Sequence, residues 1–441
     1  MEQRRKNLTQ LFIPICLETL LYMLSGMVDT LMLSSVNDQA VGAVGTANTY
    51  IGIFIIMFSV ISSGMVAVMT QNIGAGRPGV AYQARQLGLA FNAVLGVIMS
   101  LFLSLGAGTI LSGVGVADAL MQPAKTYLQI VGGFCILNAL IPICSSYLRA
   151  FGFSKEPLYA SIIGNVINFC LNAFFLFVLH KGVAGVATAT VISRIINLVI
   201  VVLLGGVLVK AKQHPERESN RAVMGQIIRI GLPSACETAI YNVSMTLVIR
   251  FLNQMDAQGL NVTARSYTMQ ITNFSYCVGA ALAQANAIMT GWHIGAKEYD
   301  ACDRGTKKAA VIGVIVAVIL ETVFTLCSGW IMQLFSKDPQ MVSLVGKLLA
   351  IDIVLEIGRV TNLVYGQALK TSGDAVFPVV MGACFMILCS VGGTYLFGIR
   401  LGLLAVGAYI GMTGDECVRA VGMYLRWKSG KWKEKGLVKS R

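Results

Sequence analysis

The chain has 441 residues, 56% of them apolar and only 12% charged, with a mean hydropathy of +0.71, whereas soluble domains carry about one-quarter charged residues. Water is not its main solvent, which excludes an ordinary soluble enzyme or binding domain. The formal charge of +13 raises nucleic acid as a partner, so where the charge sits along the chain decides what it means.

Twelve apolar stretches follow one another, at about 8–34, 44–70, 87–112, 127–149, 158–180, 183–209, 226–252, 264–290, 309–335, 342–369, 376–399 and 402–425. A helix needs roughly 20 apolar residues to cross hydrocarbon, so each stretch predicts a membrane span. No small-residue cleavage pattern follows the first, so the N-terminus is expected to be retained. With that terminus in the cytoplasm, most of the 34 Lys and Arg fall on cytoplasmic segments, including seven in the tail from Arg426 to Arg441. This is the positive-inside pattern. It predicts a multi-pass protein of the inner (plasma) membrane with both termini cytoplasmic, and it assigns the charge to topology and not to nucleic acid.

The chain is internally duplicated. PICLETLLYMLS from Pro14 matches PSACETAIYNVS from Pro233 at Pro14/Pro233, Glu18/Glu237, Thr19/Thr238, Tyr22/Tyr241 and Ser25/Ser244, an offset of 219. TQNIGA from Thr70 resembles TGWHIGA from Thr290, and LRAFGFSKEP from Leu148 resembles LKTSGDAVFP from Leu369, at offsets of 220 to 221. A register held over three separated segments predicts two six-helix halves of like orientation, related by an axis along the membrane normal. The charged stretch Lys210 to Arg221 is the natural seam, giving lobes 1–212 and 213–441. The expected architecture is all-α, with two pseudo-symmetric parallel bundles meeting at a central cleft.

Ionisable groups at membrane depth persist where they face protein or a water-filled cavity. The candidates are Glu18 and Asp29 in span one, Arg194 in span six, Glu237 and Arg250 in span seven, Glu321 in span nine, and Asp352, Glu356 and Arg359 in span ten. Asp415, Glu416 and Arg419 form a further group in span twelve. Glu356 and Arg359 are three apart and Asp415 and Arg419 four apart, which favours pairing along one helix face. Glu18 and Glu237 recur at one repeat position, which favours a shared structural role such as bonding a backbone amide, over a unique chemical one. Glu18, Glu237, Asp352 and Glu356 remain candidate acidic groups of the cleft or second lobe.

Asp29 differs. Its repeat counterpart is Val248, and no basic residue lies within a turn or two of it. Span five carries Ser161, Asn165, Asn168 and Asn172 at spacings of 4, 3 and 4, a single polar stripe, whereas the second half has Met386, Cys389 and Gly393 at the corresponding places. Polar chemistry present in one half alone is a stronger functional signal than chemistry shared by the scaffold. A carboxylate withdrawn from water there would bind a proton near neutral pH, and amide oxygens beside it would instead coordinate Na⁺. Both are cation-coupling chemistries. Pro14 in span one and Pro233 in span seven each remove a backbone hydrogen bond and permit a kink, so a bend in the first helix that responds to the charge of Asp29 is expected.

Other chemistries find little support. The eleven cysteines contain no C-x-x-C and read as small packing residues. His180, His214 and His293 lie in loops or at span ends, which leaves an intramembrane enzyme without a base or metal ligands. No catalytic residue, cofactor or firm metal site is expected. Gly74, Gly76 and Gly79 spell G-x-G-x-x-G after a membrane helix with no strand before it, so the motif reads as a turn and nucleotide is excluded as a ligand.

IPICLETLLYMLSGMVDTLML, the IGAG after span two, LRAFG with a proline five residues on, and GVAGVATATVIS together resemble the MATE (multidrug and toxic compound extrusion) family of the MOP flippase superfamily. FSKDPQMV and ALKTSGDAVFP resemble the second half of that family. The likeness to its DinF-like branch implies a cation site in the first lobe at Asp29, with Asn168 and Asn172 from span five, Thr190 from span six and Tyr127. Some members have a second aspartate where this chain has Asn172, so one carboxylate remains. Members resembling the NorM-like branch place acidic ligands in span seven, where Glu237 lies one turn early and Tyr241 takes the expected place. The resemblance implies H⁺- or Na⁺-coupled export of small lipophilic cationic molecules by a monomer, with the substrate in the central cleft. A lipid-linked saccharide flippase of the same superfamily is the alternative.

Overall fold

A computed structural model describes residues 6–35, 38–113, 116, 118–210, 214–256, 258–333 and 335–438. Among them there is helix and no strand. The helices are α1 (Leu8–Ser34), α2 (Asp38–Gly74), α3 (Pro78–Gly113), α4 (Asp118–Tyr127), α5 (Ile136–Ala150), α6 (Lys155–Ala173), α7 (Gly182–Leu208), α8 (Asn220–Met255), α9 (Leu260–Gly295), α10 (Tyr299–Leu326), α11 (Ser328–Met332), α12 (Pro339–Ser372), α13 (Val376–Phe385) and α14 (Leu404–Lys428). Wider π-helical turns continue α4 (Leu128–Gly132), α6 (Phe174–Val178) and α13 (Met386–Val391 and Thr394–Arg400). Joined with these turns, α4 with α5 and α10 with α11 each form one of the twelve long helical segments that the hydropathy predicts.

Among the described residues, seven helices are long and apolar enough by composition to cross a membrane, and Leu120–Gly132 with Ile136–Ala150, bent by 43°, makes an eighth if taken as one span. The remaining long helices, α8, α9, α12 and α14, are less apolar because they carry the polar and charged side chains of the second half. Leu105, Val207, Leu326 and Trp330 are among many large apolar side chains left on the surface, as expected where lipid is the solvent.

The helices gather into two units, Met1–Leu232 and Pro233–Arg441. The boundary expected at 212/213 lies outside the described residues. In the first unit Phe58, Leu103, Leu111, Leu128 and Val131 centre an apolar core. Gly64 on α2 and Gly231 on α8 let two backbones touch: a Cβ on Gly64 would run into the Ile227 carbonyl, and one on Gly231 into that of Val60. Such small-residue contact is how helices approach without a hydrophobic drive between them. In the second unit α12 packs against α9, α10 and α14 around Val248, Leu348, Leu349, Leu355 and Tyr409.

The duplication is visible in the backbone. Gly152 after α5 and Gly373 after α12 both take positive φ, 85° and 102°, the left-handed conformation that ends a helix at glycine. The G-x-G-x-x-G segment is a turn: Gly74 closes α2, Gly76 has φ 74° and Pro78 opens α3. All eleven cysteines are free.

Candidate cation-coupling site

The polar stripe of α6 docks along α1 in the first unit. Ser161 Oγ donates to Glu18 Oε1 at 3.4 Å, Asn165 Nδ2 to the Leu21 carbonyl at 3.5 Å, and Asn172 Nδ2 to Asp29 Oδ1 at 2.6 Å. Asn172 Nδ2 also reaches Asn168 Oδ1 at 3.2 Å. Three of the predicted residues, Asp29, Asn168 and Asn172, thus form one cluster. Asn168 and Asn172 are buried, Asp29 is half-buried, and Asn172 Oδ1 has no hydrogen-bond partner. A buried carbonyl oxygen without a donor costs about 1–3 kcal/mol, which a cation drawn to this oxygen and the Asp29 carboxylate would offset.

Tyr127 is buried, bonds to Asn48 and lies within electrostatic reach of Asp29 and Arg194. Arg194 acts on Asp29 as well, so the carboxylate has a cation across from it that its own helix does not supply. Thr190 stands one turn before Arg194 on α7, but its hydroxyl donates to its own helix, at Val186 O, 2.9 Å. Two π turns flank the cluster: Leu128–Gly132 begins directly after Tyr127, and Phe174–Val178 two residues after Asn172. Such turns occur often at functional sites, and no periodicity in the sequence announces them.

α1 runs on through Pro14, and α8 through Pro233. Proline removes the donor that would meet the carbonyl four residues earlier, here that of Gln10. Ser154 Oγ, fully buried, donates to that carbonyl at 3.0 Å. The α1 turn at Pro14 is therefore held by a side chain from the loop before α6.

Glu18 and Glu237 do have a shared structural role, but it is not the backbone amide bond expected from the sequence. Glu18 Oε2 pairs with Arg149 Nη2 at 2.6 Å, and Glu237 Oε2 with Lys370 Nζ at 2.6 Å. Arg149 and Lys370 are the basic positions of the repeated LRAFG and LKTSG segments, a signal that the matching of the repeats already contained. They lie in the last turns of α5 and α12, where a cation also meets the helix dipole favourably.

In the second unit Arg359 pairs with Glu356 one turn before it on α12, and Arg359 Nε lies 3.8 Å from Glu416 Oε1. Arg419 bonds Asp415 at 2.8 Å and Glu416 at 2.8 Å, Asn362 Nδ2 donates to Glu416 Oε2 at 3.0 Å, and Ser390 Oγ to Asp415 Oδ2 at 2.9 Å. The spacings along each helix indicate Glu356 with Arg359 and Asp415 with Arg419, but not the bonds to Glu416, Asn362 and Ser390. Asp352 makes none of these ion pairs but lines, with Tyr241, Arg265, Arg359, Asp415 and Glu416, a cavity of about 200 Å³. Outside the spans, Asp256 is held below the usual carboxylate range: slight burial opposes its ionisation, but the Asn261 and Leu260 amides and the Asn261 side chain donate to it and prevail.

The MatE family profile matches residues 14–174 and 233–396, the two repeats in turn. The "Uncharacterized transporter YisQ" of Bacillus subtilis (strain 168) is 34% identical over 431 residues, covering 96% of this chain and 94% of the relative. A "Probable multidrug resistance protein NorM" of Thermotoga maritima is 23% identical over 450 residues, covering 98% and 94%. A solved multidrug resistance MATE family transporter of the MOP superfamily, in an outward-facing conformation, superposes with a TM-score of 0.84 at 18% identity, covering 98% of this chain and 96% of that one.

Proposed function

Because the chain belongs to the MatE family, we propose that it is a secondary antiporter of the plasma membrane, exchanging inward-moving H⁺ or Na⁺ for small lipophilic cationic molecules expelled from the cell. The observation that carries this reading is the cluster of Asp29, Asn172 and Asn168, whose counterparts in the second unit are Val248, Gly393 and Cys389. A scaffold duplicated for structure alone has no use for a carboxylate and two amides in one copy only. Each elementary charge moved inward is driven by about 2.3 kcal/mol per 100 mV, and a site that binds the ion and then releases it on the other side converts that drive into export.

The mechanism assigns four roles. Asp29 takes the ion, as a proton on a carboxylate oxygen or as Na⁺ shared with Asn172 Oδ1. Asn172 Nδ2 meanwhile holds Asp29 toward α6, and loading Asp29 weakens that charge-assisted bond. The α1 turn at Pro14, lacking one backbone bond, absorbs the resulting change in bend, while Tyr127 and Thr190 complete the polar surround. Positive-inside charge favours cytoplasmic termini, and one chain carries both repeats, which supports action as a monomer. Neither catalysis nor a cofactor enters this cycle.

The test is efflux of a fluorescent lipophilic cation from energised vesicles under proton and sodium gradients imposed separately. Export by the wild type under one gradient, lost in Asp29→Asn while dye binding persists, supports the reading and names the ion. Normal export by Asp29→Asn would overturn the first-unit site, and absence of export by the wild type would favour a flippase.

A further inference from the structure

Arg265 of α9 is a buried cation that the antiport reading does not use. It is 6% exposed and lines the cavity of about 200 Å³ in the second unit. Among the described residues no carboxylate pairs with it: Nη2 meets the Met245 sulfur at 3.7 Å, and Nε has no hydrogen-bond partner. The other arginines of this region are engaged, Arg359 by Glu356 and Glu416, and Arg419 by Asp415 and Glu416. An independent observation sets Arg265 apart. The first half has Gly45 and Thr46 at the corresponding places, at offsets of 220 and 219, so this charge, like that of Asp29, belongs to one half alone and the duplicated scaffold does not require it.

Buried charges persist when they are paired. A buried carboxylate can escape the cost by taking up a proton, but a guanidinium stays charged, so Arg265 calls for an anion. From this arrangement we infer that the cavity binds a small molecule with one carboxylate on an apolar body, and that Arg265 receives the carboxylate. A guanidinium presents a planar fork that matches a carboxylate with two parallel hydrogen bonds, and the free Nε is one edge of that fork. Met245, Met269, Leu355 and Met412 give the cavity adaptable apolar walls. Asp352, Asp415 and Glu416 line it as well, and like charges brought together cost binding energy, which favours a carboxylate monoanion over a phosphate dianion. The volume is below the about 300–1,000 Å³ of sites for drug-sized ligands, so the apolar body is limited to about one ring. The inference goes beyond the antiport reading: every residue in it belongs to the second unit, and the charge recognised is opposite to that of the proposed export substrates.

The experiment is equilibrium dialysis of radiolabelled 3-phenylpropionate, with its uncharged amide as the control, against the purified full-length protein in detergent. Wild type is expected to bind the acid about tenfold or more tightly than the amide, the effect of a hydrogen bond to a charged group. Arg265→Gln should abolish that preference, and Arg265→Lys, which keeps the charge but not the fork, should retain part of it. Equal binding of acid and amide by the wild type, or binding of neither, would overturn the inference, as would a preference for the acid that survives in a folded Arg265→Gln. Should Arg265→Gln fail to fold, Met269→Trp decides, because it fills the cavity without altering a charge: loss of acid binding supports the site, and wild-type binding would place it elsewhere and remove Arg265 from it. No ion gradient is applied, so failure of the antiport reading would leave this result standing, and the reverse.

Discussion

Glu18 and Arg149 form a 2.6 Å ion pair between α1 and the end of α5, and the second unit repeats it as Glu237 and Lys370 at 2.6 Å. The acids are offset by 219 residues and the bases by 221, so the duplication conserved a bond and not merely a helix count. Side-chain exposure is 15% and 11% in one copy and 14% and 15% in the other, so both pairs are largely withdrawn from solvent. Removing one partner of a buried pair costs about 3–5 kcal/mol, because the other charge is stranded. Glu18→Gln is expected to lower the melting temperature of the detergent-solubilised protein, and Glu18→Gln with Arg149→Gln to recover part of the loss. A double-mutant cycle with coupling near zero would show that the pair contributes nothing.

Asn172→Ala removes the side-chain donor that reaches Asp29 at 2.6 Å. A hydrogen bond to a charged group contributes about 1.5–3 kcal/mol, equivalent to about tenfold to a hundredfold in an equilibrium. Gradient-driven efflux by Asn172→Ala should shift its dependence on ion concentration by that factor while dye binding stays within about twofold. An unaltered ion dependence would remove Asn172 from the coupling machinery. Thr190→Ala, whose hydroxyl bonds its own helix, should have the weaker effect.

Ser154 supplies the donor that Pro14 withholds from the Gln10 carbonyl. Ser154→Ala removes the donor of that part-buried bond and should destabilise by about 0.5–1.5 kcal/mol. In a Pro14→Ala background the new backbone N–H can take over, so the same Ser154→Ala change should cost much less. Melting curves of the four proteins check this; equal costs of Ser154→Ala in both backgrounds would show that the hydroxyl and the proline are unconnected. Pro14→Ala should itself slow efflux more than it weakens dye binding, since the bend and not the pocket is altered.

Asp256 accepts from Leu260 N at 2.8 Å and Asn261 N at 3.0 Å and so caps the start of α9. Its folded-state pKa is depressed, so its contribution is complete above the unfolded carboxylate value, about 3.9, and is lost as pH falls through the lower folded value. Asp256→Ala should cost about 1 kcal/mol at neutral pH, the usual size of a cap, and progressively less below about pH 4. A pH-independent difference between variant and wild type in thermal unfolding would contradict the capping role.

The span pattern, the duplication and the one-sided polar stripe were legible in the chain itself, since each is a matter of local periodicity or of self-comparison. Twelve stretches of about 20 apolar residues dictate helices because lipid leaves a backbone no other partner. Asp29 stood out because its counterpart is Val248. What faces what was not legible. That Asn172 meets Asp29, that Arg194 acts on the same carboxylate, and that Arg149 neutralises Glu18 depend on helices more than a hundred residues apart in sequence packing at one rotation, as do the π turns beside Tyr127 and Asn172. The convergence of Glu321 on Asp352 and Glu356 is likewise decided by how α10 rotates against α12. A helical period tells which residues share a face, but only tertiary packing chooses the face opposite, because burial energy in lipid is nearly indifferent to rotation until polar groups find one another.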